Sequence, residues 1–243
     1  MASLGAGWLM LDGGHSNDGA WLYKAEEENR LALQDDPESS SAHADFAAVF
    51  LYQSQKDLAW LETKRALEID PRNSQALHIQ MHCHHMNGDY SSAEAMAKDL
   101  MEREPLFWPA RMMFGDLRRQ QGFPNESIVE QQKILEHDAQ NIYALHYLAR
   151  AHLDAGELEN ARQILTRARQ ANRRNYWCRL YWAILMALEG KLDEAKTEMD
   201  EAVLKWASIV IWYTAHVADF YAILGEVDTA FEWIDRAVRN GAE

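Results

Sequence analysis

The sequence predicts an all-α chain folded as a solenoid of antiparallel helix pairs, and three observations carry that expectation. Glycines recur with a regular period: Gly88, Gly122, Gly156, Gly190 and Gly225 stand about 34 residues apart, each between two segments of helical character. Small residues fall in phase with them. The composition agrees, because 48% of the 243 residues are hydrophobic and only five prolines and twelve glycines interrupt stretches rich in Ala, Leu and Glu.

Each glycine reads as the left-handed stop of one helix, and the residues after it (Asp89-Tyr90, Phe123-Pro124, Glu157-Leu158, Lys191-Leu192, Glu226-Val227) open the next. So short a connection permits only antiparallel neighbours. Ala47, Gly115, Ala149, Ala183 and Ala218 on the first helix, with Ala59, Ala93, Ser127, Ala161, Ala195 and Ala230 early on the second, mark the close approaches. Ala66, Ala168, Ala202 and Ala237 follow seven residues later. A bulky side chain at any of these would push the pair apart. Phe46, Phe114, Leu148, Trp182 and Val217 fill the opposing positions, and Pro71 and Pro105, with Pro37 before them, end second helices.

In this phase the residues resemble the tetratricopeptide repeat, whose pattern runs Trp-Leu-Gly-Tyr and then Ala-Phe-Ala-Pro. The resemblance covers six units at 40–73, 74–107, 108–141, 142–175, 176–209 and 211–243, after a partial or degenerate repeat and loop at 1–39. It implies a right-handed superhelical solenoid. Departures are Leu100 and Ile134 at small-residue positions, Arg118 and His152 for tyrosine, and Ala139, Arg173 and Ala207 for the closing proline. A one-residue slip near Ser208–Val210 predicts a longer turn. Residues 20–37 read as a second helix, preceded by a glycine-rich loop over 12–19 and a short capping helix. The end at Gly241-Ala242-Glu243 predicts an uncapped last repeat, as in a piece of a longer protein. From Leu148 onward the chain is also similar to arrays attached to bacterial serine/threonine kinases and transcriptional regulators, which implies a regulatory appendage.

The formal charge of −14 and pI near 5.1 disfavour phosphate backbones and anionic lipid, so neither a nucleic-acid nor a membrane partner is expected. The run Arg162, Arg167, Arg169, Arg173, Arg174 and Arg179, with Tyr176 and Trp177, reads as a solvated outer face. Two cysteines suggest no disulfide framework, no basic leader opens the chain, and no apolar run reaches the ~20 residues that span a bilayer. A cytoplasmic setting is expected. No phosphate-cradling loop, nucleophile elbow or Cys–His arrangement with a positioned third group is present, so neither enzymatic activity nor a cofactor is expected.

The resemblance implies that first helices line a concave groove. Their groove positions run from Ala44, Ala48, Leu51 and Tyr52 through His78, His82 and His85 to Tyr143, His146, Arg150, Trp177, Leu180, Ile184, Leu188 and Trp212. Ala44 and Ala48 stand where some members carry a Lys and Asn clamp for a C-terminal carboxylate, so that ligand class is not expected. Tyr143, Trp177 and Trp212 form an aromatic column that, beside Arg150, would anchor a peptide, helix or protein surface, or else pack between repeats. Arg119, His78, His82 and His85 would set the polarity. The three histidines follow i, i+4, i+7 spacing on one helix face and are the only metal candidates; without an acidic partner they read first as groove histidines titrating near neutral pH. Two further expectations stay open: self-assembly through the last repeat at Phe231, Trp233 and Ile234, and a metal- or pH-responsive segment on the histidine face.

Overall fold

The computed structural model describes residues 20–171 and 175–239. The glycine-rich stretch 12–19, Arg173 and Arg174 in the basic run, and Gly241–Glu243 lie outside the described residues. Among those described there are fourteen α-helices, one short 3-10 turn and no strand. They are α1 (Ala20–Asp35), α2 (Ser40–Tyr52), α3 (Lys56–Ile69), α4 (Ser74–Met86), α5 (Tyr90–Arg103), α6 (Trp108–Gln120), α7 (Pro124–His137), α8 (Ile142–Asp154), α9 (Leu158–Ala171), α10 (Tyr176–Leu188), α11 (Leu192–Glu198), α12 (Glu201–Ile209), α13 (Thr214–Ile223) and α14 (Val227–Arg239). The 3-10 turn Ile211–Tyr213 opens α13. Neighbouring helices pack in chain order, which makes a solenoid.

Local chemistry starts and stops each pair. Asn73, Asn141 and Asn175 cap α4, α8 and α10 by accepting from backbone N–H groups two or three residues on, as Ser39 does for α2. The recurring glycines all take positive φ, from 72° to 88°, with nothing within 4 Å of a built Cβ at any of them. Backbone conformation alone therefore favours glycine there. In the first pair the same position is Ser54, at φ 61°. The small residues sit at the helix crossings as expected: Ala47, Ala149 and Ala183 are fully buried, and a Cβ on Gly115 would come within 2.6 Å of Gln131 Nε2.

The pattern breaks once. The second helix of the fifth pair, expected as one element carrying both Ala195 and Ala202, divides at Met199–Asp200, where Asp200 is extended at ψ 175° and accepts from Val203 N at 3.1 Å to cap α12. Trp206 on α12 is 1% exposed, stacked 5.7 Å from Tyr176 and 4.4 Å from Tyr213, centroid to centroid. The longer turn expected near Ser208–Val210 is the extended Val210 followed by the 3-10 turn, pinned by Thr214 Oγ1 donating to the Ala207 carbonyl at 2.9 Å.

Candidate functional site

First helices α2, α4, α6, α8 and α10 all turn side chains onto one cavity of ≈180 Å³, and its remaining wall is Trp206 with the segment Val210–Tyr213. The solenoid therefore closes on itself. The rings of His82 on α4 and Trp212 lie 5.4 Å apart, and Tyr213 lies 5.4 Å from His146 on α8. One cluster of buried side chains accordingly takes in Leu51 and Ile79 from the early pairs and Trp177 and Val210 from the late ones.

The walls are aromatic and almost uncharged. Trp108 and Tyr143 stack at 5.5 Å, and His146 meets Tyr147, Trp177, Tyr181 and Tyr213 within 5.4 Å. Burial raises the phenols of Tyr143, Tyr147, Tyr181 and Tyr213. Among the described residues no carboxylate lines this cavity, and the one formally charged side chain on it is Arg150.

The histidine face needs correction. His78 and His82 do not titrate near neutral pH, because burial lowers His78 to about 4 and, with His78 and His85 nearby, holds His82 well below the usual range. Burial does the same to His146, helped by Arg150. His78 and His82 approach Nε2 to Nε2 at 3.2 Å, but His85 turns aside to Gln120 Oε1 at 2.8 Å. Among the described residues no group of three His, Cys, Asp or Glu side chains is arranged to hold a metal ion.

A second cavity of ≈300 Å³ lies farther along the groove, sharing Arg150 with the first. Arg119 is its floor. Its Nε donates to Asp116 Oδ1 at 2.8 Å and its Nη1 to Asp154 Oδ2 at 2.5 Å, while Nη2 is buried without a hydrogen-bond partner among the described residues. Asp116 also accepts from Gln120 at 2.9 Å and stands 4.0 Å from Arg150. Burial would raise the Asp116 carboxyl, but Arg119 and Arg150 outweigh it and hold it well below the carboxylate range. His216 and Asp219 on α13 form the far wall, with Nδ1 and Oδ2 at 3.1 Å.

The structure brings Tyr143, Arg150, Trp177, Trp212, His78 and His82 to the first cavity, Arg119 and Arg150 to the second, and leaves His85 outside both. The expected late apolar face is corrected: Leu180, Trp177 and Ile184 are 0%, 6% and 7% exposed, leaving Leu188 at 41%. Trp206 and Tyr213, which follow the bend at Asp200, join Trp177, Leu180 and Ile184 in one hydrophobic cluster. Sequence reasoning missed Tyr147, Tyr213, Asp154 and His216. Three members of the basic run are paired internally: Arg162 with Glu189, Arg169 with Glu198 at 2.8 Å, and Arg179 with Asp200 at 2.8 Å, while Arg167 is exposed. No helix among the described residues is long and apolar enough to cross a membrane.

No protein-family model matches the sequence, and no curated protein matches it. Solved structures do. The chain superposes on the APC/C hetero-tetramer Cut9–Hcn1 with TM-score 0.75 at 12% identity, over 97% of this chain and 45% of that one. A thermophilic TPR protein of Thermus thermophilus matches with TM-score 0.63 at 16% identity, over 76% and 99% of the two chains. A tetratricopeptide repeat protein from Parabacteroides merdae matches at 0.58 with 15% identity, over 91% and 94%. Together with the glycine-punctuated helix pairs, these likenesses give the chain the tetratricopeptide-repeat fold.

Proposed function

We propose that the chain is a protein-interaction scaffold that holds a peptide, helix or protein surface in its concave groove, as a regulatory module of a larger bacterial cytoplasmic protein. The observation that carries this reading is the aromatic cavity of ≈180 Å³ beside Arg150. Rigid aromatic side chains and arginine are the residue types that concentrate binding energy, and stacked repeats preform the surface that presents them. Cut9, whose fold this chain shares, was solved in a hetero-tetramer with Hcn1, which agrees with a binding role. In this reading Tyr143, Trp177, Trp212 and Arg150 anchor the partner, while His78, His82, His85 and Arg119 set polarity around it. No catalytic role is assigned to any residue.

The test is position-specific photo-crosslinking in native lysate, with benzoylphenylalanine replacing Tyr143 in the groove or the exposed Glu102 on α5. A defined protein captured from Tyr143 but not from Glu102 supports the reading. Capture only from Glu102, or from neither, sinks it.

One observation favours a second reading, self-association. Val227, Phe231, Ile234 and Val238 make an exposed stripe at helical spacing along α14, and Ile234 is 44% exposed where its counterparts Thr63, Ala97, Gln131 and Leu165 are fully buried. Mass that rises with concentration, and falls back in Phe231→Glu, would support this reading.

A further inference from the structure

The two cavities differ in chemistry, and that difference specifies what kind of segment fits the groove. The first is walled by rings and by histidines that burial keeps neutral, with Arg150 as its only formal charge among the described residues. Its ≈180 Å³ is somewhat larger than the roughly 150 Å³ cavities that take up benzene, so it holds one ring or a branched aliphatic side chain and not a whole helix. A cationic side chain is unsuited to it, because Arg150 repels it and no carboxylate lines the cavity.

The second cavity is the reverse. Leu188 and Ile223, 41% and 37% exposed, offer an apolar wall, while Asp154 and Asp219 stand at the edge with side chains 43% and 65% exposed. With Asp116 below, three carboxylates face two guanidiniums, Arg119 and Arg150. The local balance is negative, as is the whole chain at −14. A second anion would add to an excess of carboxylates, whereas a lysine or arginine can lay its methylene stem along Leu188 and Ile223 and put its charge between Asp154 and Asp219. Arg150 borders both cavities, and Asp154 follows it by one turn of α8, about 6 Å. The two occupants therefore belong to neighbouring positions of one extended segment.

Resting on the scaffold reading, we infer that the groove takes a linear segment of a partner protein that carries a bulky apolar, preferably aromatic, side chain next to a lysine or arginine. The ring fills the cavity beside Trp177 and Tyr143, and the basic residue meets Asp154 and Asp219.

The experiment probes positional-scanning arrays of nonapeptides with the full chain, beside Asp219→Asn and Asp219→Lys variants whose folding is checked by thermal melting. Asp219 is exposed and, among the described residues, its one hydrogen-bonded partner is His216, so both variants should fold. The expected result is selection of Trp, Phe or Leu within two positions of Lys or Arg. The basic preference should weaken about two- to fivefold with Asn and turn toward Asp or Glu with Lys. A basic preference that both variants leave unchanged would be generic attraction to an acidic chain and would overturn the inference, as would selection of acidic residues or no retained peptide. If the arrays are blank while Tyr143 crosslinks a partner, only this inference falls; if both are blank, the scaffold reading falls too.

Discussion

The ring of Trp212 packs 5.4 Å from the ring of His82, although one opens the last helix pair and the other belongs to the second. A contact so long in sequence narrows the groove to a partly open cavity, and it makes the Val210–Tyr213 segment a wall of the site. Trp206 is part of that wall and packs against Tyr213 at 4.4 Å. Trp206→Ala should cost about 3–5 kcal/mol of stability, as for other fully buried tryptophans, and Trp212→Ala about half of that because its ring is half-buried. In Trp212→Ala the His82 imidazole, now wetter, should titrate closer to its ordinary range. Urea unfolding and histidine NMR titration check the two parts separately, and a His82 that still resists protonation would show that Trp212 does not close the groove.

The buried charges beside the second cavity should behave as a unit. Asp116 is the partner that Arg119 and Arg150 share, and removing it leaves two guanidiniums facing each other with only the solvent-exposed carboxylates of Asp154 and Asp219 near them. Asp116→Ala should therefore destabilise by about 3–5 kcal/mol, as expected when one partner of a buried pair is deleted. Asp154→Ala, at the exposed edge, should cost about 1 kcal/mol or less. Equal costs in chemical denaturation would contradict the network described here.

What was legible in the sequence was local and periodic. Gly88 and its successors, Ala47 and its equivalents, and the capping asparagines each act within one helix pair, so a single repeat predicts them. The meeting of His82 and Trp212 is different in kind, because it sums small rotations over several pairs and no repeat contains that sum. Leu180 and Ile184 are buried for a related reason: the cluster they join draws side chains from several pairs. The split at Asp200 did leave a signal. Asp200 ahead of Glu201-Ala202-Val203-Leu204 is an N-cap followed by an acidic first turn, but the strong 34-residue period argued for one continuous helix across it. Asp154 and His216 stood at positions where only the assembled curve decides which cavity they border.

The buried titratable groups predict an unusual pH profile. In the folded chain burial depresses His78 and His216 to about 4 and holds His82 and His146 well below 6.5, so between pH 6.5 and 4 the unfolded state binds more protons. Stability is then lost as pH falls through that window, at roughly 1.4 kcal/mol per pH unit for each such histidine. Asp45 works in the opposite sense. It is 7% exposed and burial raises it to about 7, so from pH 3.8 to about 7 the folded state holds a proton the unfolded state has lost, and stability falls as pH rises. Asp45→Asn should steepen the acid loss by about one proton, and His146→Phe should make it shallower by about one. Denaturant melts at half-unit pH steps measure both slopes; equal slopes in the two variants would place these groups in solvent.

Ser54 offers the cleanest test of how the repeat is punctuated. It occupies the position that Gly88, Gly122, Gly156, Gly190 and Gly225 fill in later pairs, and it takes the same left-handed conformation, φ 61° against their 72° to 88°. A Cβ at those glycines would meet nothing within 4 Å, so the cost of a side chain there is conformational and not steric contact with neighbours. For a residue other than glycine the left-handed region costs roughly 1–2 kcal/mol, part of which glycine returns through its greater freedom in the unfolded chain. Ser54→Gly should therefore stabilise the protein by about 0.5–1 kcal/mol. Gly156→Ser, the reverse change in a later pair, should destabilise it by a similar amount. Thermal unfolding of the two variants reads both signs at once, and a Ser54→Gly variant no more stable than its parent would mean that Ser54 relaxes out of the left-handed region without loss to the first pair.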